Sequence, residues 1–417
     1  MGQPWSTKAE AQIAFTYPDF VLYQAARLFV VVSTEMQSVA VGWQLYEMTR
    51  KPLALGLAGL AQFLPGMILF LVSGHAADRI DRRKILFVCY AGFGLCSGFL
   101  FFANVSHRAS VFAIYIVLVL VGVVRSFSGP ASRAIVPHLV PEEHFPSAVA
   151  WVAMVYQAAT LLGPALGGLV YAVAQGPSAV YATAMISAAV ASVMTARMST
   201  RATGDRREEF SSKMVLAGLH FIFRQKVVLG SVSLDLFAVL FGGAVALLPV
   251  YARDILHTGP WGLGLLRSSP GIGALVMALL LAYRPLRRRV GVTLLWCVAG
   301  FGVFTILFGV SRSLWLSMLA LLLAGACDMV SVIIRNTLIQ VTTPDTMRGR
   351  VNAVEMIFIG ASNEFGEFES GVTAQWFGIV PAVVLGGIGA LTVTILWAWT
   401  FPDLRNADRI AKPPDLA

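Results

Sequence analysis

Charged side chains stand in this sequence where charge is expensive. Arg27, Glu35, Arg125, Asp235, Arg267, Asp328, Arg335, Glu355, Glu364, Glu367 and Glu369 lie within long apolar runs. An ionisable group at mid-bilayer costs at least about 2.5–3.5 kcal/mol on insertion scales, so each is a candidate for binding, coupling or pairing. A carboxyl held out of water can load and release a proton. Glu35, Asp235, Asp328 and Glu364 are therefore the proton-coupling candidates. Arg125, Gln37, Arg267, Asn363 and Glu367 are the candidates for lining a substrate cavity. Arg335 and Glu355 read as a structural ion pair, Arg267 is expected near Glu367 or Glu369, and Arg125 near Glu35.

Other chemistry finds no support. No G-x-x-x-x-G-K-[ST] occurs, and Gly262-Leu263-Gly264-Leu265-Leu266-Arg267 follows no strand, so neither phosphate cradle nor dinucleotide fingerprint is read. The histidines show no metal-ligand spacing. Cys89, Cys96, Cys297 and Cys327 all lie in apolar runs and read as small buried hydrophobes. No cofactor, no metal and no enzymatic activity are expected. Energy must come from an ion gradient or from the substrate's own gradient.

The elements that position these residues follow from composition. The chain is 57% hydrophobic and 13% charged. Soluble domains carry about 25% charged residues. Apolar stretches of about 20 residues, the length that crosses a hydrocarbon core, recur throughout. Six spans are expected near 20–48, 53–75, 84–103, 110–133, 147–173 and 178–198, and six more near 227–250, 261–283, 290–310, 313–335, 349–375 and 379–400. The fold class is an all-α membrane protein of twelve helices in two pseudo-symmetric six-helix bundles, 1–198 and 226–417. Residues 199–225 join them as a cytoplasmic linker, polar over 199–213. Within it Met214, Val215, Gly218, Leu219 and Ile222 recur at helical spacing. Two readings stand: a short interfacial helix, or an early start to the seventh span. Residues 1–18 are too polar for a signal peptide, so the first span is expected to be uncleaved.

The net charge of +9 does not form a nucleic-acid patch. The basic residues cluster in alternate loops: Arg79 to Lys84, Arg197 to Lys226, Arg284 to Arg289, Arg348 with Arg350, and Arg405 with Arg409. By the positive-inside rule that side is cytoplasmic, and an even span number puts both termini there. The halves also match each other. Gly59-Leu60 and Pro65-Gly66 reappear as Gly264-Leu265 and Pro270-Gly271, and Arg133 with Pro141 as Arg335 with Pro344. Tandem repeats of this kind place a substrate site at the midplane where they meet. Arg125 and Asp328 fall at nearly matching repeat positions with opposite charge.

The loop after the second span reads Gly74-His75-Ala76-Ala77-Asp78-Arg79-Ile80-Asp81-Arg82-Arg83-Lys84. Its Gly74, Asp78, Arg79, Arg82 and Arg83 offer a charge latch to neighbouring helix ends. With this spacing the chain resembles the major facilitator superfamily. Arg125-Ser126-Phe127-Ser128-Gly129 resembles that family's R-x-x-x-G element, and Gly163-Pro164-Ala165-Leu166-Gly167-Gly168 its antiporter-associated element. Gly42 to Thr49 and Leu55 to Pro65 are similar to the enterobactin-exporter and macrolide-efflux branch. Two departures stand out. Asp81 replaces a frequent glycine, and the counterpart loop Tyr283 to Arg289 lacks an acid, so any latch is asymmetric.

The resemblance implies a proton-coupled exporter of a small amphipathic molecule, drug-like or siderophore, working by alternating access in the inner membrane. Its expected partners are that substrate, protons and the lipid bilayer, and a monomer is expected. The alternatives are a lysolipid or lipid flippase and a nutrient-uptake symporter. A non-transporting scaffold of the same fold would gain little from so many buried charges.

Overall fold

The structure is a computed structural model that describes residues 13–201, 212–284, 286 and 289–407. Most of the polar segment around Arg206, and Arg287, Arg288 and Arg409, lie outside the described residues. Twelve long helices are found among the described residues, with no strands. They are α1 (Pro18–Thr49), α2 (Pro52–Arg79), α3 (Arg82–Val105), α4 (Val111–Ile135), α5 (Phe145–Ala174) and α6 (Ser178–Arg197). A shorter helix α7 (Ser212–Arg224) precedes α8 (Lys226–Gly242), α9 (Gly259–Tyr283), α10 (Val290–Val310), α11 (Leu314–Thr342), α12 (Asp345–Phe377) and α13 (Ile379–Thr400).

Ten of the described helical segments are long and apolar enough to cross a membrane. The other two long helices, α1 and α12, have 32 and 33 residues. At 1.5 Å per residue either exceeds the roughly 30 Å hydrocarbon core. They fall short in apolarity alone, because they carry Asp19, Arg27, Glu35 and Glu47, and Arg348, Arg350, Glu355, Glu364, Glu367 and Glu369. The two most polar spans are thus those holding most of the coupling and cavity candidates.

The expected boundaries hold within four residues except at two ends: α11 runs to Thr342, past the expected 335, and α8 stops at Gly242, short of the expected 250. The seventh span does not start early. Gln225 is extended (φ −94°, ψ 94°) and separates α7 from α8. Beyond α8 the chain breaks at Gly243 and continues through the turns Ala244–Leu247 and Leu248–Val250 to a π-helical turn, Tyr251–Ile255.

Contacts divide the chain into two compact units, one of residues 1–45 and 64–210, the other of 46–63 and 211–417. In the first, α3 packs on α4 and α6, and α5 on α6. Tyr23, Leu86, Leu100, Ile114, Ile135 and Tyr181 are fully buried there. In the second, α11 packs on α9 and α10, α13 on α8 and α10, and α12 on α7 and α8. Leu234, Leu294, Val298, Ile334, Leu338 and Val393 form its core. The outward faces are also greasy: Leu95, Phe112, Val173, Trp296 and Trp399 are each at least 74% exposed. Exposed apolar surface on that scale marks a membrane or protein contact rather than a water-facing one.

Candidate functional site

In the first unit the candidates gather where α1 meets α5. Gly163 faces Glu35: a Cβ added there would stand 2.5 Å from the Glu35 Cβ and 3.1 Å from the Val32 carbonyl oxygen. One turn on, a Cβ at Gly167 would stand 2.7 Å from the Met36 Cα. The missing side chains let α5 lie backbone-close to α1 beside the stem of Glu35. Pro164 and Gly168 are buried in the same stretch. Further along the seam, Arg27 donates to the Val152 carbonyl at 3.0 Å and lies 5.2 Å over the Tyr156 ring. A guanidinium so placed is met by a carbonyl dipole and a π-face. Gln37 is buried, and its amide oxygen accepts from Ser97 at 2.5 Å. Glu35 is partly buried and Arg125 exposed, and among the described residues they form no ion pair.

The loop after α2 is built on arginine-to-carbonyl bonds. Buried Arg82 donates to Ala77 at 3.2 Å and Ala134 at 3.1 Å, and contacts His138 at 2.5 Å. Arg83 donates to the Met198 carbonyl. Asp81 caps α3 by accepting from the Arg83 amide at 3.1 Å. Gly74 lies in the penultimate turn of α2, and Asp78 and Arg79, at its end, are exposed. Nearby, the Asp19 carboxylate accepts from Ser199 N, Thr200 N and Thr200 Oγ1 at 2.5–3.1 Å. Partial burial raises its pKa. The Thr200 and Ser199 hydrogen bonds and the Arg83 charge outweigh that and hold it below the ordinary value.

The second unit gathers its charges differently. Arg335 on α11 pairs with Asp235 on α8 and, at 3.0 Å, with Glu355 on α12; all three are buried. The Arg335–Glu355 pair is the one the sequence suggested, while the Asp235 contact links residues on different spans and has no spacing signal. Two turns along α11, Asp328 lines a small cavity with Asp235, Cys297, Cys327, Phe301 and Ser331. The cavity is at the lower limit of what one water needs. The buried Ser331 hydroxyl has no hydrogen-bond partner among the described residues.

On α12, Glu364 and Glu367 bring carboxyl oxygens against Gly59 of α2, within 2.9 Å and 2.8 Å of where its Cβ would be. Asn363 is exposed, and Arg267 on α9 is partly buried without an ion pair among the described residues. Glu369 accepts instead from Thr373 at 2.7 Å. A further charged cluster went unread in the sequence. Glu47 pairs with Arg253 at 3.1 Å, Arg50 with Asp254 at 3.7 Å, and the Tyr46 hydroxyl donates to Asp254. Each side of this clasp supplies one acid and one base. The adjacent Arg253-Asp254 and the one-turn spacing of Glu47 and Arg50 were its only sequence signal.

The profile of a family described as transmembrane secretion effector matches residues 14–414. An enterobactin exporter, EntS, of Shigella boydii is 27% identical over 388 residues, covering 91% of this chain and 87% of that protein. One from Citrobacter koseri is 26% identical over 389 residues, with the same coverage. Among solved structures, a bacterial homologue of the human lysosomal transporter Spinster, inward-facing, aligns with TM-score 0.70 at 13% identity over 96% of this chain and 99% of that one. An inward-facing bacterial homologue of the iron transporter ferroportin aligns with TM-score 0.68 at 17% identity over 91% and 98%. At these identities the structures establish the fold alone.

Proposed function

Because the chain belongs to the transmembrane secretion effector family of the major facilitator superfamily, and is therefore a membrane-spanning transporter and not an enzyme, we propose that it exports a small amphipathic molecule of the siderophore or drug-like class by proton-coupled alternating access. The observation that carries the reading is the seam at Glu35. Gly163 and Gly167 of the antiporter-associated element let α5 close on α1 at the Cβ and Cγ of Glu35 and at the Met36 backbone. A carboxyl whose stem is packed at that seam changes its environment when the seam shifts, and that is what links proton loading to a conformational step in this reading.

In this reading Glu35 carries the proton, with Asp235, Asp328 and Glu364 as further candidates. Arg125, Gln37, Arg267, Asn363 and Glu367 contribute to substrate contact. Arg125 is exposed in unit 1 and free of an ion pair among the described residues, which suits an anionic substrate. The loop arginines Arg82 and Arg83 brace the helix ends, with Gly74, Asp78 and Arg79 completing the latch. The two bundles, 1–198 and 226–417, are the moving bodies. The basic loops and both termini face the cytoplasm of an inner-membrane protein. Full-length similarity to enterobactin exporters supports export and the siderophore class.

The test uses proteoliposomes with an imposed pH gradient, offered enterobactin, a macrolide and a lysolipid in turn. Wild-type protein is expected to accumulate enterobactin or the macrolide against its gradient. Glu35→Gln is expected to retain only downhill exchange. Full pH-driven accumulation by Glu35→Gln, Asp235→Asn, Asp328→Asn and Glu364→Gln, each tested singly, would remove the coupling assignment. Lysolipid movement alone would replace export of a soluble amphiphile with lipid flipping.

A further inference from the structure

Helix α7 stands one residue from a membrane span. It ends at Arg224, Gln225 is extended, and α8 begins at Lys226. The span that α8 opens runs from Lys226 to Ile255. A helix joined so tightly to the start of a span is held where the headgroups begin.

One face of α7 is committed to protein. Ile222 is fully buried with Val228, Val232, Ile339, Val351 and Val354, and Leu219 and Phe221 pack against them. Gly218 lies against α12, where an added Cβ would stand 2.5 Å from the Arg350 carbonyl oxygen and 3.1 Å from the Val354 side chain. That contact fixes the rotation of α7 about its axis, and so fixes which residues point away. Leu216 is 62% exposed and Phe223 61% exposed. They are two turns apart on one stripe, about 10 Å along the helix. Exposed His220 and Arg224 share that face, and exposed Lys226 follows it.

We propose that α7 is a lipid-docking helix, whose occupant is the anionic headgroup layer beside the start of α8. Leu216 and Phe223 enter the acyl boundary. Arg224 and Lys226 hold lipid phosphates. An apolar stripe flanked by cations, placed at the membrane's edge, matches that surface in both chemistry and depth. Through Gly218 the docked helix braces α12, the span that carries Glu355, Glu364 and Glu367. The inference rests on the spans and not on the export reading.

The experiment places a nitroxide at Phe223→Cys in full-length protein whose four cysteines are serine. A second variant carries it at Leu216→Cys. Both are checked for wild-type melting in detergent. In nanodiscs of phosphatidylcholine, with or without an equal part of phosphatidylglycerol, power-saturation spectroscopy compares collision with oxygen and with a water-soluble nickel complex. Both labels are expected to favour oxygen severalfold. The contrast is expected to deepen with phosphatidylglycerol, and Arg224→Glu with Lys226→Glu to abolish the deepening. Free access of nickel would overturn the proposal in favour of a solvated helix. Shielding from both reagents would overturn it in favour of contact with another protein surface. An equal contrast in the two lipid mixtures would overturn the anionic preference.

Discussion

The seam between α1 and α5 and the core shared by α8, α11 and α12 handle membrane charge in opposite ways. At the seam, Arg27 meets a carbonyl and a ring, and Glu35 forms no ion pair among the described residues; what brings the helices together there is the absence of side chains at Gly163 and Gly167. In the core, Asp235 and Glu355 share the single guanidinium of Arg335. The difference separates two uses of charge. A compensated cluster fixes three helices to one another, because opening it leaves charge unpaired in a low dielectric. At the seam the two helices are joined by close packing at Gly163 and Gly167, with no ion pair at Glu35 among the described residues.

The contrast breaks most completely at Arg335. Arg335→Met leaves two buried carboxyls without a counter-charge, and loss of one partner of a buried pair costs about 3–5 kcal/mol. Most of the protein is expected to be lost from the monodisperse fraction in detergent. Adding Asp235→Asn and Glu355→Gln to that variant should restore it. Wild-type melting by Arg335→Met alone would show that the cluster compensates nothing.

At the seam the expected effect is smaller and lies in function. Gly163→Ala forces a methyl against Glu35, an overpacking cost of about 1–3 kcal/mol. Transport should fall well before expression does. Gly176→Ala is the control, because nothing stands within 4 Å of a Cβ there. Equal transport by the two variants would deny the seam its role.

The clasp between residues 46–50 and 253–254 is a third arrangement, charged but open to solvent. The side chains of Glu47 and Arg253 are 46% and 21% exposed. Exposed pairs contribute about 0.2–1 kcal/mol. A double-mutant cycle with Glu47→Arg and Arg253→Glu should give a coupling in that range, with the swapped pair recovering the loss. A coupling of several kcal/mol would place the clasp with the core.

The smallest effect is expected at Asp19. Its carboxylate is held below the ordinary aspartate pKa, so its hydrogen bonds stabilise the fold above about pH 3.9. That contribution fades as pH falls through the lower folded value. Melting between pH 7 and pH 3 should drop slightly less for Asp19→Asn than for wild type. An identical pH slope would mean that the contacts to Ser199 and Thr200 add no net stability.

Long apolar periods made the helices readable, and the charged spans still read as spans because apolar residues run between their charges. Arg335 with Glu355 was also legible, since the loop between α11 and α12 is short and brings their ends together. The joining of Asp235 to that pair was not, because the rotation of a helix uniformly apolar around its circumference leaves no trace in its residues. Arg125 and Glu35 show the same limit: equal depth on neighbouring spans does not make two side chains meet. The split between α7 and α8 was half legible. Helical spacing ran through both, and only the backbone of Gln225 reveals the break.

The cluster at Arg335 also sets a timetable for the chain's synthesis. Asp235 emerges about a hundred residues ahead of Arg335, on the order of ten seconds at ordinary rates of translation. Glu355 follows a further helix turn-around later. Until α11 arrives, α8 carries an unmatched acid, which Arg335 then meets; α12 adds a second acid to a pair already matched. A chain stopped before α11 therefore presents the quality-control machinery with a membrane segment whose charge has no partner in this cluster.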